Sequence, residues 1–181
     1  MTELSGAELL DRTLVEESAK KSGLLWVRVA DGTDRPLWQT WHDGAVVLVG
    51  EGAEQPLHGL ADGQSTVLTA RSKDKGGRLV SWPVRVEQLA PGSAEWTAAA
   101  EELRAKRLNS PDHESVTDRW ARESRLLRLV AADGPVSGPD ALPDGSHAAA
   151  PVPSPATTRQ PVPAALPKLL FGRRRKPRKQ K

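Results

Sequence analysis

Residues 71–78, Arg-Ser-Lys-Asp-Lys-Gly-Gly-Arg, carry five charges, four of them cationic, between two strand-like runs. Taking 74–77 as a four-residue loop sets Lys73 opposite Arg78, Arg71 opposite Val80 and Thr69 opposite Trp82. In that register Arg71, Lys73 and Arg78 gather on the face that carries Val80, Trp82, Val84 and Val86. Three cations held that closely repel one another unless an anion sits among them. The expected chemistry is therefore a phosphate clamp. A one-residue slip removes it, because Arg71 then joins Leu79, Ser81 and Pro83 on the other face. The competing reading is a solvated hairpin tip, with Gly76-Gly77 supplying positive φ.

Other residues extend the candidate set. Arg85 alternates with Val84 and Val86, so it points away from their face, toward a ligand, a partner subunit or solvent. Pro83 cannot donate to a sheet ladder and marks an edge or a bulge. Trp38 and Trp41, three apart on one strand, point to opposite faces. One packs in a core, while the other is free to cap a ligand ring or meet a partner. Trp82, Arg85 and Trp41 thus join Arg71, Lys73 and Arg78 as expected cofactor-binding residues. Lys106-Arg107 closes a helix and is the second choice for anion contact, although cations there also suit the helix dipole. The four histidines, His42, His58, His113 and His147, lack ligand spacing, so no metal site is expected. No nucleophile–base pair, P-loop or dinucleotide fingerprint is present, so redox chemistry would have to come from a bound cofactor.

The elements that position these residues follow from periodicity. Ser5-Gly6-Ala7-Glu8 has capping-box spacing and opens a helix that Gly23 ends. Strands are expected at 24–30, 35–42, 45–49, 65–71 and 78–89, with Asp43-Gly44 a hairpin turn. Pro91-Gly92-Ser93 stops the last of these and caps a helix carrying Trp96, Ala100 and Leu103. Ser115 opens a shorter helix with Val116 and Trp120. Residues 125–130 read as a sixth, closing strand. The expected fold is mainly β with helical additions: six antiparallel strands closing as a small barrel, a split β-barrel by the family resemblance given below.

The 181 residues carry a net charge of +3 that is unevenly spread. Residues 1–130 hold 17 Lys/Arg and 20 Asp/Glu, which is −3, whereas residues 131–181 hold 9 and 3, which is +6. The acidic body argues against nucleic-acid binding by the body itself. The segment 132–181 is rich in Pro, Ala, Gly and Ser, and is expected to be a disordered tail. It ends in Arg173–Lys181, a polybasic run suited to nucleic acid or an anionic membrane surface. Three parts are expected: an N-terminal helix over 1–22, a barrel with two C-terminal helices over 23–131, and the tail. Cysteine is absent, so disulfides and thiolate metal sites are excluded. With no signal-like or spanning apolar run, a cytoplasmic protein is expected.

Arg35-Pro36-Leu37-Trp38, then Trp41-His42-Asp43-Gly44 and the strand Ala45–Val49, resembles the pyridoxamine 5'-phosphate oxidase-like, FMN-binding split barrels. Residues 79–96 are similar to that family's long strand leading into a helix. The resemblance covers residues 22–131 and extends to an uncharacterised subgroup. It implies FMN, or else a deazaflavin or haem, at a homodimer interface, and an oxidoreductase in many members, although some have lost the cofactor. It also implies a basic phosphate-holding segment after the third strand. Here that segment, 50–60, has Glu51 and Glu54 and no Lys or Arg, and two carboxylates repel a phosphate. The rival expectation is a cofactor-free interaction module that binds through its basic tail.

Overall fold

The computed structural model describes residues 6–72, 77–108, 110 and 112–142. The capping box, Lys73 and the tail beyond 142 lie outside the described residues. Helix α1 spans Gly6–Lys21 and ends on Lys20 and Lys21, each paired to the glutamate four residues earlier. Its Val15 and Ala19 face the barrel core.

Seven strands follow expected periodicities: β1 (Leu24–Arg28), β2 (Asp34–Trp38), β3 (Thr40–His42), β4 (Ala45–Gly50), β5 (Ser65–Arg71), β6 (Arg78–Gln88) and, after the helices, β7 (Arg125–Ala131). They form one antiparallel sheet in the order β2-β1-β5-β6-β7-β4-β3, curled into a half-barrel. The β3–β4 turn has positive φ at both Asp43 (45°) and Gly44 (72°), the pairing a two-residue hairpin loop demands.

The expected fold class stands, with seven strands rather than six. The expected 35–42 strand breaks at Gln39, and its halves β2 and β3 become the two edges of the sheet. The side-chain amide of buried Gln39 donates to the carbonyls of Ala19 (3.0 Å) and Ser22, at the open end of α1. Gln55 then spans the seam between the edges. Its Oε1 accepts from Trp38 N–H (2.8 Å), and its Nε2 donates to the carbonyls of Trp38 (2.8 Å) and Val49 (3.1 Å). One side chain thus joins edge strand β2 to the end of β4 and gives partners to three backbone groups.

Two cores lie on opposite sides of the sheet. The inner one contains Leu25, Val27, Leu68, Trp82, Val84 and Leu127. The outer one is made where helices α2 (Ala94–Lys106) and α3 (Val116–Glu123) cover Val47, Val49 and Leu126 with Trp96, Leu103 and Trp120. Strand β4 is therefore buried along its whole length. Full burial of each such large side chain contributes about 1.5–3 kcal/mol. Ser93 caps α2 as expected, accepting from Trp96 N–H at 3.1 Å. Trp38 packs against the outer core and Trp41 against the inner one, the expected opposition of faces.

Two further expectations change. The strap after β7 was expected to be disordered from 132, yet residues 132–142 return along β6: Ser137 and Ser81 exchange backbone hydrogen bonds (2.9 and 2.8 Å), and Pro139–Ala141 is a short 3-10 turn. Pro83 sits where β7 stops pairing with β6, so its missing N–H interrupts no ladder on that side. The bulge lies elsewhere, between Ala70 and Arg71.

Candidate functional site

The β5–β6 register decides the site. Leu68 faces Trp82, Thr69 faces Ser81 and Ala70 faces Val80, and beyond the bulge Arg71 is the Cα partner of Arg78. This is one residue off the expected register. Arg71 is thus not grouped with Val80, Trp82, Val84 and Val86, whose side chains belong to the inner core. Trp82 is 2% exposed, a core residue that also lines, with Arg78, the cavity described next.

The outer face of β1, β5 and β6 is a different surface. Along β1, Leu25 and Val27 point inward while Trp26 and Arg28 point outward. Trp26 pairs with Thr69, which pairs with Ser81, so these three share the outward face. A cavity of about 310 Å³ opens there, with Arg28, Arg78, Thr69, Ser81 and, from the returning strap, Ser137 and Leu142 among its lining.

Its polar groups have defined roles. Ser81 O–H donates to the Leu68 carbonyl (3.1 Å), so in the 3.0 Å Thr69–Ser81 contact the Thr69 hydroxyl is the donor. Thr69 therefore presents only oxygen lone pairs to the cavity. Arg28 is engaged with the buried Asp34 carboxylate at 3.0 and 3.4 Å. Arg78 makes no side-chain hydrogen bond or ion pair among the described residues. Arg71 lies outside this cavity's lining, its guanidinium carbon 4.8 Å from the Trp26 ring centre and its buried Nε without a hydrogen-bond partner. The arrangement offers an anion the free guanidinium of Arg78, with Arg28 and Arg71 as neighbouring charge.

The other expected residues scatter. Arg85 is exposed on β6, on the side away from Val84 and Val86 as expected, with Ser65 and Val130 as Cα partners. Trp41 lies half-buried at the barrel seam. Arg28, Trp26 and the Thr69–Ser81 pair were not in the expected set. The alternation in Leu24–Ala30, apolar inward and Trp-x-Arg outward, is the signal that could have found the first two.

The acidic segment after β4 has a structural explanation. The Glu54 side chain is 1% exposed and accepts hydrogen bonds from Arg119 (3.1 Å) and Trp120 Nε1 (2.9 Å), with Arg107 Nη2 at 3.1 Å. Its charge is taken up by α2 and α3, not aimed at a ligand. Arg119 is also held by Asp112 at 2.6 Å, and that pairing keeps the Asp112 carboxyl well below its ordinary range. No group of three or more potential metal ligands exists among the described residues, and no described helix is long and apolar enough to cross a membrane.

Fold and site define a curled antiparallel half-barrel whose outer face is covered by α2 and α3 over β4 and β7 and carries a cationic cavity over β5 and β6. No protein-family model matches the chain, and no curated protein matches it. Among solved structures it is similar to HutZ, a heme storage protein from Vibrio cholerae, at 10% identity and TM-score 0.49, over 68% of this chain and 91% of that one. It is also similar to an FAD-binding protein from Mycobacterium smegmatis (15%, TM-score 0.46, 74% and 93%). A third likeness is to an FAD- and heme-binding protein from the same organism (16%, TM-score 0.44, 91% and 95%). Likenesses of this degree do not transfer a ligand.

Proposed function

We propose that the chain binds a flavin-type cofactor, FMN or a deazaflavin, through the outer face of β1, β5 and β6, as one half of a homodimer. The observation that carries this is Arg78, which lines the cavity beside Thr69 and Ser81 with no carboxylate partner among the described residues. A phosphate there receives charge-assisted hydrogen bonds from its guanidinium. The resemblance of residues 35–49 and 79–96 to the FMN-binding split barrels supports the choice of ligand class.

A contrast within the outer face supports the homodimer. The outer face of β4 and β7 is covered by α2 and α3, whereas Trp26, Arg28 and Val67 stay half-exposed. A second copy laid on that face would close the cavity against water.

A bound flavin would supply hydride or electron transfer. The chain's own residues bind and orient: Arg78 anchors the phosphate, Arg28 is held in place by Asp34, and Thr69 offers an acceptor. An oxidoreductase is the activity this supports. The test is the visible spectrum of the purified protein, followed by titration with FMN and a deazaflavin. Ligand at about 100 times its dissociation constant stabilises by about 2.7 kcal/mol, which raises the melting temperature of a domain this size by roughly 8 °C. No flavin band and no shift with either ligand rejects the proposal.

A further inference from the structure

We propose a second ligand site in the cleft at the barrel seam, for a small planar aromatic anion: a ring carrying a carboxylate or a phosphate. The cleft has a volume of about 420 Å³, within the range of small-molecule sites. Two tryptophans, Trp38 and Trp41, line it. Its charged lining residues are all cationic: Lys20 and Lys21 from the last turn of α1, and Lys106 and Arg107 from the end of α2. No aspartate or glutamate lines it among the described residues.

Helix dipoles alone do not account for this convergence. The carbonyls of Ala19 and Ser22, at the end of α1, are already taken by the Gln39 amide. The lysines have carboxylate partners, Glu16, Glu17 and Glu102, but these are exposed pairs within a helix. Such pairs contribute little, so exchanging them for a ligand's anion costs little.

The two best-placed cations are fixed in advance. Lys106 Nζ donates to Thr40 Oγ1 at 2.7 Å. Arg107 is held by Glu54 and lies with its guanidinium carbon 5.3 Å from the Trp38 ring centre. Arg107 Nε is buried and has no hydrogen-bond partner, a donor left over beside an aromatic wall. Pre-positioned cations next to an indole face suit a ligand that combines a flat ring with an anion. The site shares no lining residue with the flavin face, so it stands or falls separately.

The test titrates adenosine monophosphate and benzoate into the full chain and follows tryptophan fluorescence at two salt concentrations. The expected result is saturable quenching with at least one probe, weakened by salt. The triple variant K20A/K21A/K106A should lower its affinity about tenfold, the order expected for losing charge-assisted contacts. The response to riboflavin, which carries no anionic group for these cations, should not change. Should the triple variant lack a cooperative melting transition, Lys106→Gln alone carries the comparison. No saturable quenching with either probe, or equal affinity in the folded variant, overturns the proposal.

Discussion

Replacing Glu54 tests whether the acidic segment after β4 is a structural brace. The carboxylate is 1% exposed and meets Arg119, Trp120 Nε1 and Arg107 at 2.9–3.1 Å. Glu54→Ala leaves two arginines beside a void and an indole N–H without an acceptor. Arg119 keeps Asp112, so its charge is not wholly stranded. Arg107, 30% exposed, retains partial access to water. Breaking a buried pair by removing one partner costs about 3–5 kcal/mol, and the surviving Asp112 contact places this case near the lower end. With a urea slope of about 2 kcal/mol/M, a loss of about 3 kcal/mol moves the unfolding midpoint down by about 1.5 M. Glu54→Gln keeps the shape and one acceptor and should lose less. Equilibrium urea unfolding of the parent and both variants makes the comparison. A midpoint for Glu54→Ala within about 0.3 M of the parent would refute the brace, and with it the explanation of why carboxylates stand in this segment.

Gln55→Leu should cost about 3 kcal/mol, because three hydrogen bonds across the seam are lost and the Trp38 and Val49 backbone groups lose their partner; a change in melting temperature of under about 3 °C would count against the seam. Burial, then the nearby Arg35 charge, lowers the pKa of His58. The unfolded chain therefore takes up this proton more readily, and stability should fall as pH drops from about 7.5 to 5.5. His58 has a φ of 52°, so Asn is the replacement that tolerates its backbone, and His58→Asn should flatten that slope in pH-dependent melting. Deleting 168–181 should weaken salt-sensitive binding to nucleic acid or to anionic vesicles; unchanged binding on both removes the tail from the account.

Much of the architecture was legible in local pattern. The alternation in 24–30, the Asp43-Gly44 turn, the Ser93 cap and the closing strand at 125 all act over a few residues. The misread features are set by distant partners. Val67 and Leu68 are both apolar, so alternation does not say which of them faces inward. The bulge at Ala70–Arg71 then moves the arginine relative to any loop count. Gln39 and Gln55 look like ordinary polar residues until the curled sheet brings its two edges together. Glu54 reads as a repulsive charge because Arg107 and Arg119 lie more than fifty residues away. Arg28 lines the same cavity as Arg78 only because β1 pairs with β5 and β5 with β6, a juxtaposition no local pattern reveals. Lys73 lies outside the described residues.

The central claim is that Arg78 anchors the phosphate of a flavin on the outer sheet face. Comparing FMN with riboflavin, in the parent and in Arg78→Met, tests it most directly, since the two ligands differ only in the phosphate. The parent should bind FMN at least about tenfold more tightly than riboflavin, the order of one charge-assisted contact, and Arg78→Met should erase most of that difference while leaving riboflavin binding unchanged. Equal affinity for the two ligands in the parent, or a preference for FMN that survives in Arg78→Met, would contradict it.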